Sequence, residues 1–326
     1  MPLPLPPMDG ADNFMVTQSE DGPKDQCHGF ESKIVTLYAR GMTLREIHAH
    51  LLKTYRTEIA ASQIAAVVDA STTEVTTWLA RPLESVYPIV YLDCIRLQVR
   101  VGPSSVKTVY LAIGVSMSGK RDVLGLWLAQ DDRAKFWKQV LADLRERGVQ
   151  DILIARIDDI KDFPEAMEAA YPETTVKLCV TDLVRRSLNY VPRNGQKAVA
   201  ADLRGIYQAT TASEAERGLS EFEARWDKDY VEIGQSWRQN WSRIGPFFDY
   251  PPEVRKMLHT ITGVEAVDVS FRRLIANRST FPSDEELLKV LGMVLCRVSL
   301  KWAMINRGQA ALAWFSRHYR ERISAN

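Results

Sequence analysis

Between residues 30 and 80 the apolar positions recur every three or four residues, the spacing of helices with one buried side. Ile34, Leu37 and Tyr38 share a face, and Gly41 can end that helix. Thr43-Leu44-Arg45-Glu46 is a capping box that opens a second helix, with Ile47, Leu51 and Leu52 as its apolar side. A third helix begins at Ala61-Ser62-Gln63-Ile64. Short helices on tight turns compose either a helix-turn-helix, whose second member docks in a DNA groove, or a small helical bundle. On the first reading Arg45 and Gln63 are candidate DNA contacts.

At Arg81-Pro82-Leu83 the periodicity changes, because proline stops a helix and restricts the residue before it. Apolar runs at about 87–100, 106–115 and 121–129, separated by short turns with Gly, Pro and Ser, predict an antiparallel meander. A helix follows at about 132–147, closed by Gly148, then a strand at 151–157, a short helix at 163–170 and a strand at 175–180. The order βββαβαβ, a meander followed by crossovers, is that of an α/β ribonuclease-H-like core with a mixed five-stranded sheet. The expected domains are a Pro-rich unstructured lead (1–29), a helical helix-turn-helix-like region (30–82), the core (83–190), a helical insertion (191–252) and a C-terminal helical part (253–326). The insertion is rich in Trp and Tyr, which read as a packed helical core. The last part is expected to hold an interrupted helix pair at 253–275 and an amphipathic helix over 284–321.

The net charge of +1 neither requires nor excludes nucleic acid, but Lys and Arg are unevenly placed, as in Arg185-Arg186 and Arg272-Arg273. The four cysteines lie far apart and form no zinc-ligand pair, so free thiols in a reducing compartment are expected. No run of 18 apolar residues occurs, and the N-terminus lacks the pattern of a secretory signal.

Within the apolar run Ile89-Val90-Tyr91-Leu92-Asp93-Cys94-Ile95, Asp93 needs a reason, because an unpaired buried carboxylate is costly. A second strand ends in the same way, at Ala155-Arg156-Ile157-Asp158-Asp159. Carboxylates delivered by two strands are the start of a metal-dependent phosphoryl-transfer site. An edge-strand position for Asp93 and a helix cap for Asp158 are the bland alternatives.

From about residue 30 to 321 the chain resembles the Mutator-type (IS256-like) transposases of bacterial insertion sequences. The resemblance is carried by Tyr38-Ala39-Arg40-Gly41-Met42-Thr43, Val86-Tyr87-Pro88-Ile89-Val90-Tyr91-Leu92-Asp93, Trp237-Arg238-Gln239-Asn240-Trp241, Pro246-Phe247-Phe248-Asp249-Tyr250-Pro251-Pro252 and Phe281-Pro282-Ser283-Asp284-Glu285. It implies a DDE transposase with Asp93, Asp158 and Glu265 as catalytic and metal-binding residues, and a helical insertion ahead of Glu265. It further implies Mg²⁺, with Mn²⁺ as substitute, and double-stranded DNA at element ends and target as partner. A homodimer or higher oligomer on DNA and a cytoplasmic, nucleoid-associated location complete the expectation, with no membrane and no small-molecule substrate. Arg185, Arg186, Arg272 and Arg273 are further candidate DNA contacts. The chain departs from the family pattern at Asp162, Asp182, Thr262, Asp268 and Val269, where the family carries Gly, His, Asn, Asn and Arg. A catalytically impaired DNA-binding relative, or a metal-dependent nuclease on the same fold, are therefore the alternatives.

Overall fold

The computed structural model describes residues 23–56, 58–103, 106–130, 133–157, 163–259, 262–302 and 308–325. Three helices come first: α1 (Pro23–Ala39), α2 (Leu44–Tyr55) and α3 (Ala61–Leu79). Helix α1 thus opens inside the span expected to be unstructured. Gly41 takes φ +98 between α1 and α2, a left-handed conformation suited to glycine. The capping box is formed: Thr43 Oγ1 accepts from the Glu46 N–H, and Glu46 Oε2 accepts from the Thr43 N–H at 2.7 Å.

The core sheet is built from β1 (Val86–Leu97), β3 (Lys107–Val115), β4 (Arg121–Leu128), β5 (Asp151–Ile157) and β6 (Thr175–Leu178), in the order β4-β3-β1-β5-β6. β3 and β4 run antiparallel in a meander with β1, whereas β5 lies parallel to β1 and β6 parallel to β5. This is the expected ribonuclease-H-like arrangement. The sequence run at 87–100 divides: β1 ends at Leu97, and β2 (Arg100–Val101) turns away to pair with β7 (Thr280–Phe281). The expected strand at 175–180 stops at Leu178, because Cys179 caps the next helix and its Sγ accepts from the Asp182 N–H.

Helices α4 (Arg133–Glu146) and α5 (Phe163–Ala170) cover one face of the sheet, packing Phe136, Trp137 and Phe163 against Tyr87, Val90 and Leu92. The other face carries two apolar clusters. In the first, Ile89 and Tyr91 pack against α6 (Val180–Leu188) and the insertion helices α7 (Gln196–Tyr207), α8 (Ala212–Gln239) and α9 (Trp241–Ile244). A 3-10 turn at Gly245–Asp249, α10 (Pro252–His259) and α13 (Gln309–His318) complete it. In the second, Ile95, Leu97, Leu111 and Ile113 pack against α11 (Thr262–Asn277), α12 (Asp284–Ser299) and α1 to α3. The helix expected over 284–321 is divided: α12 ends at Ser299, Gly308 precedes α13, and α14 (Arg320–Ser324) is separate. The aromatic residues of the insertion are core as expected, with Trp237 buried and its Nε1 donating to Ser187 Oγ at 3.1 Å.

Candidate active site

Asp93 lies on β1 between Tyr91, which belongs to the first cluster, and Ile95, which belongs to the second. It pairs with Leu111 of β3 and is 6% exposed, so the edge-strand alternative does not hold. Its Oδ2 is buried and has no hydrogen-bond partner. Burial pushes its pKa up to about 6; Arg156 and Arg185 pull against that, while Asp182 and Asp268 push with it. Among the described residues, two cations and two carboxylates thus act on the charge of Asp93.

Arg156 comes from β5, directly beside Tyr91 in the parallel register, and its guanidinium lies over the Tyr91 ring at 5.1 Å. It is 4% exposed. Its Nη2 donates to Cys179 Sγ at 2.7 Å and stands 3.7 Å from Asp182 Oδ2, and its Nη1 faces the Leu258 carbonyl at 3.5 Å. Tyr91 in turn donates its hydroxyl to the Met257 carbonyl at 2.6 Å, tying α10 to the central strand. Asp182 is buried in the first turn of α6 and accepts from Arg185 Nη1 at 2.6 Å. Sequence reasoning missed Arg156, although its signal was the same as that of Asp93: a charge inside an apolar strand.

The last described residue of β5, Ile157, is paired with Leu92, so β5 ends at the level of Asp93. Asp158 follows next in the sequence and lies outside the described residues, as do Asp159 and Asp162. Glu265 is in the first turn of α11 and is exposed. One turn further on, Asp268 Oδ2 accepts from Arg272 Nε at 2.9 Å, while its Oδ1 is buried without a hydrogen bond. Among the described residues no three His, Cys, Asp or Glu side chains are grouped to hold a metal ion. The residues present nevertheless fit a cation, because Asp93 offers a buried, unpartnered carboxylate oxygen, the hard donor that Mg²⁺ prefers.

Of the expected DNA contacts, Arg45 on α2 and Arg273 on α11 are exposed. Gln63 is exposed but structurally used, its Oε1 accepting from the Ala60 N–H at 3.2 Å at the start of α3. Arg185 and Arg272 are exposed cations in ion pairs with Asp182 and Asp268, and Arg186 is half-buried. Helix α3 carries Asp69 and Glu74 and no Lys or Arg. No helix among the described residues is long and apolar enough to cross a membrane.

The strand order and the helical insertion after β6 define a ribonuclease-H-like α/β protein. The family described as "Transposase, Mutator family" matches residues 24–304, and the chain belongs to that family. The transposase for insertion sequence element ISRM3 of Rhizobium meliloti is 42% identical over 275 residues, covering 84% of this chain and 69% of the relative. A probable insertion-sequence transposase of Corynebacterium diphtheriae is 38% identical, covering 84% of this chain and 80% of its own length. Among solved structures, the Drosophila P element transposase strand transfer complex matches 89% of this chain and 81% of its own with a TM-score of 0.36 and 8% identity, too loose to add to the strand order.

Proposed function

We propose that this chain is a DDE-type transposase that cuts and joins double-stranded DNA at the ends of an insertion sequence. The observation that carries the reading is Asp93, a carboxylate held dry on the central strand with one oxygen unpartnered. Asp93, Asp158 and Glu265 would hold two Mg²⁺ ions, Mn²⁺ substituting. Such a pair of ions activates an attacking oxygen and stabilises the leaving one. Asp93 supplies its oxygens from a fixed β-position, so its geometry is set before DNA arrives. Glu265, exposed in the first turn of α11, sits where a helix N-terminus favours negative charge and where duplex can approach. Arg156 holds Asp182 and the Cys179 cap in place, fixing the start of α6 beside Asp93. Exposed cations, Arg45 and Arg273 among them, supply phosphate contacts that position the duplex without reading its sequence. Joining two DNA ends calls for at least two copies of the chain on DNA.

The test has two arms. Calorimetry with Mn²⁺ on the wild type and on Asp93→Asn should show binding heat in the first and little in the second; equal, negligible heats would sink the metal reading. Labelled duplexes carrying the ends of the encoding element should give joined products in Mg²⁺, and Asp93→Asn should lower their yield at least about 100-fold. Cleavage without joining would favour a nuclease instead.

A further inference from the structure

We propose that the cavity bounded by α6, α7 and α10 is a nucleotide site, which seats a base against Tyr207 and Phe247 and its phosphate on Arg255 and Lys256. The source of the nucleotide, an unpaired residue at a DNA end, rests on the transposase reading above; the pocket itself does not.

The cavity has a volume of about 610 Å³, within the range that holds a small organic ligand. Val184 of α6, Phe247 of the 3-10 turn and Pro252 of α10 give it apolar walls, and Tyr207 at the end of α7 adds a half-buried ring. Aromatic faces take any base by stacking, whatever its edge presents. Among the described residues that line the cavity are two cations, Arg255 and Lys256, and no Asp or Glu. Arg255 Nη1 donates to the Ala209 carbonyl at 2.9 Å, which fixes the guanidinium beside the loop between α7 and α8. Its Nε is buried and has no hydrogen-bond partner among the described residues. A guanidinium so placed has further donors to direct at an acceptor that enters, and its planar fork suits phosphate. Lys256, exposed, adds a second positive charge. Rings and cations lining one cavity match a nucleotide, which is flat and apolar-faced at its base and anionic at its phosphate. A bare phosphate would leave the rings unused, and an uncharged apolar ligand would leave the cations unused.

The position suits a nucleotide of a DNA strand better than a freely diffusing one. Val180 and Thr181 line the cavity, and the next residue on α6, Asp182, stands 3.7 Å from Arg156, the neighbour of Tyr91 across the β1–β5 pair. On α10, Met257 follows Lys256, and its carbonyl accepts from the Tyr91 hydroxyl at 2.6 Å. Two walls of the cavity are thus tied to the surroundings of Tyr91, which stands two positions before Asp93 on the same side of β1, about 7 Å along the strand. A DNA strand engaged at Asp93 has neighbouring nucleotides within reach of the cavity, and one that has left its base pair can enter. Its phosphate, held on Arg255 and Lys256, then sets the register of the strand against Asp93.

The experiment uses the full chain in buffer without divalent metal, so that cleavage does not intervene. Three probes carry 5-iodouracil: a duplex with the modified base in an unpaired 3′ tail, a blunt duplex with it paired, and 5-iododeoxyuridine monophosphate alone. Ultraviolet crosslinks are mapped by mass spectrometry, and duplex affinity is read by fluorescence anisotropy. The tailed duplex is expected to crosslink in the peptides that carry Tyr207 and Phe247, and to bind about tenfold more weakly to Tyr207→Leu and to Lys256→Gln. Thermal melting checks that each variant folds; Lys256 is exposed, so its variant keeps the test open if Tyr207→Leu does not. Crosslinking of the monophosphate at these peptides, with none from the tail, would keep the site and overturn its assignment to a DNA end. A tailed duplex that binds with its crosslinks elsewhere, and with unchanged affinity in both variants, overturns the inference while leaving the transposase reading intact. If neither duplex binds, it is the transposase reading that fails, and the monophosphate crosslink alone decides the site.

Discussion

Burial governs charge on the face of the sheet that carries Arg156. Lys177 stands beside Arg156 in the β5–β6 register, is 7% exposed, and has its ammonium over the Tyr250 ring at 5.5 Å. Burial pushes its pKa down to about 8, with Asp249 opposing. A folded-state value below the unfolded one means that the unfolded chain binds the proton more tightly between about pH 8 and 10. Stability from this group therefore rises with pH through that window, and below it the fold carries a poorly solvated cation. Lys177→Met should stabilise the protein at pH 7 by on the order of 1–2 kcal/mol, after allowing for solvent screening and the lost ring contact. Urea unfolding at pH 7 and pH 10.5 checks this: the gain should shrink at the higher pH, and an equal gain at both would contradict it. Asp93 could be singled out from sequence because an acid amid Val90, Tyr91, Leu92 and Ile95 is costly unless it lies at a sheet edge or faces a partner. Arg156 carried the same signal and went unread, because whether a charge within a strand is buried and partnered depends on which helices cover that face of the sheet.

Helix seams show the same dependence on what lies opposite. Gly292 on α12 faces α3, where a Cβ would stand 2.8 Å from Val75 Cγ1 and 3.4 Å from Leu79 Cδ1. Alanine there gains about 1 kcal/mol of helix propensity but overpacks a β-branched neighbour with little freedom to move. Gly292→Ala is expected to lower stability by about 1 kcal/mol net, seen as a lower denaturant midpoint. In a double-mutant cycle, Val75→Ala should relieve part of that loss, giving a coupling that simple addition misses. The caps at Gly41, Thr43 and Gly148 could be read from the sequence because they are settled within a few residues. The end of α12 could not, since the apolar repeat runs on while the chain leaves the helix at Leu300, which is 81% exposed. The β2–β7 pair was invisible for a different reason: its strands are two residues each and far apart in sequence.

Across the whole molecule, the N-terminal helices are not a separable reading head. Ile34, Ile47, Leu51, Ile64 and Val68 share one apolar cluster with Leu287, Val290 and Leu291 of α12 and with the sheet. The region expected to dock on DNA is therefore cemented to the core, and α3, with its two acids and no Lys or Arg, presents no cationic side chain to a phosphate. Because the cluster is continuous, helical and tryptophan signals should melt in one coincident transition. A variant lacking residues 1–82 should be insoluble, as α12 would expose Leu287, Val290 and Leu291. Two separated transitions, or a soluble and folded truncation, would contradict this arrangement.

The position of Asp93 between two hydrocarbon clusters has a consequence for the order of assembly. Oil meets oil almost everywhere along the sheet, but at Asp93 the join is interrupted by a carboxylate, with Arg156 and Arg185 drawing on its charge and Asp182 and Asp268 opposing it. A polar fault line therefore runs through the centre of the fold. On the proposed function, a DNA backbone would bring more negative charge to the same place. An ion that seats first would draw the fault closed and turn a repellent threshold into a landing point; a duplex that came first would meet a door held shut by its own charge.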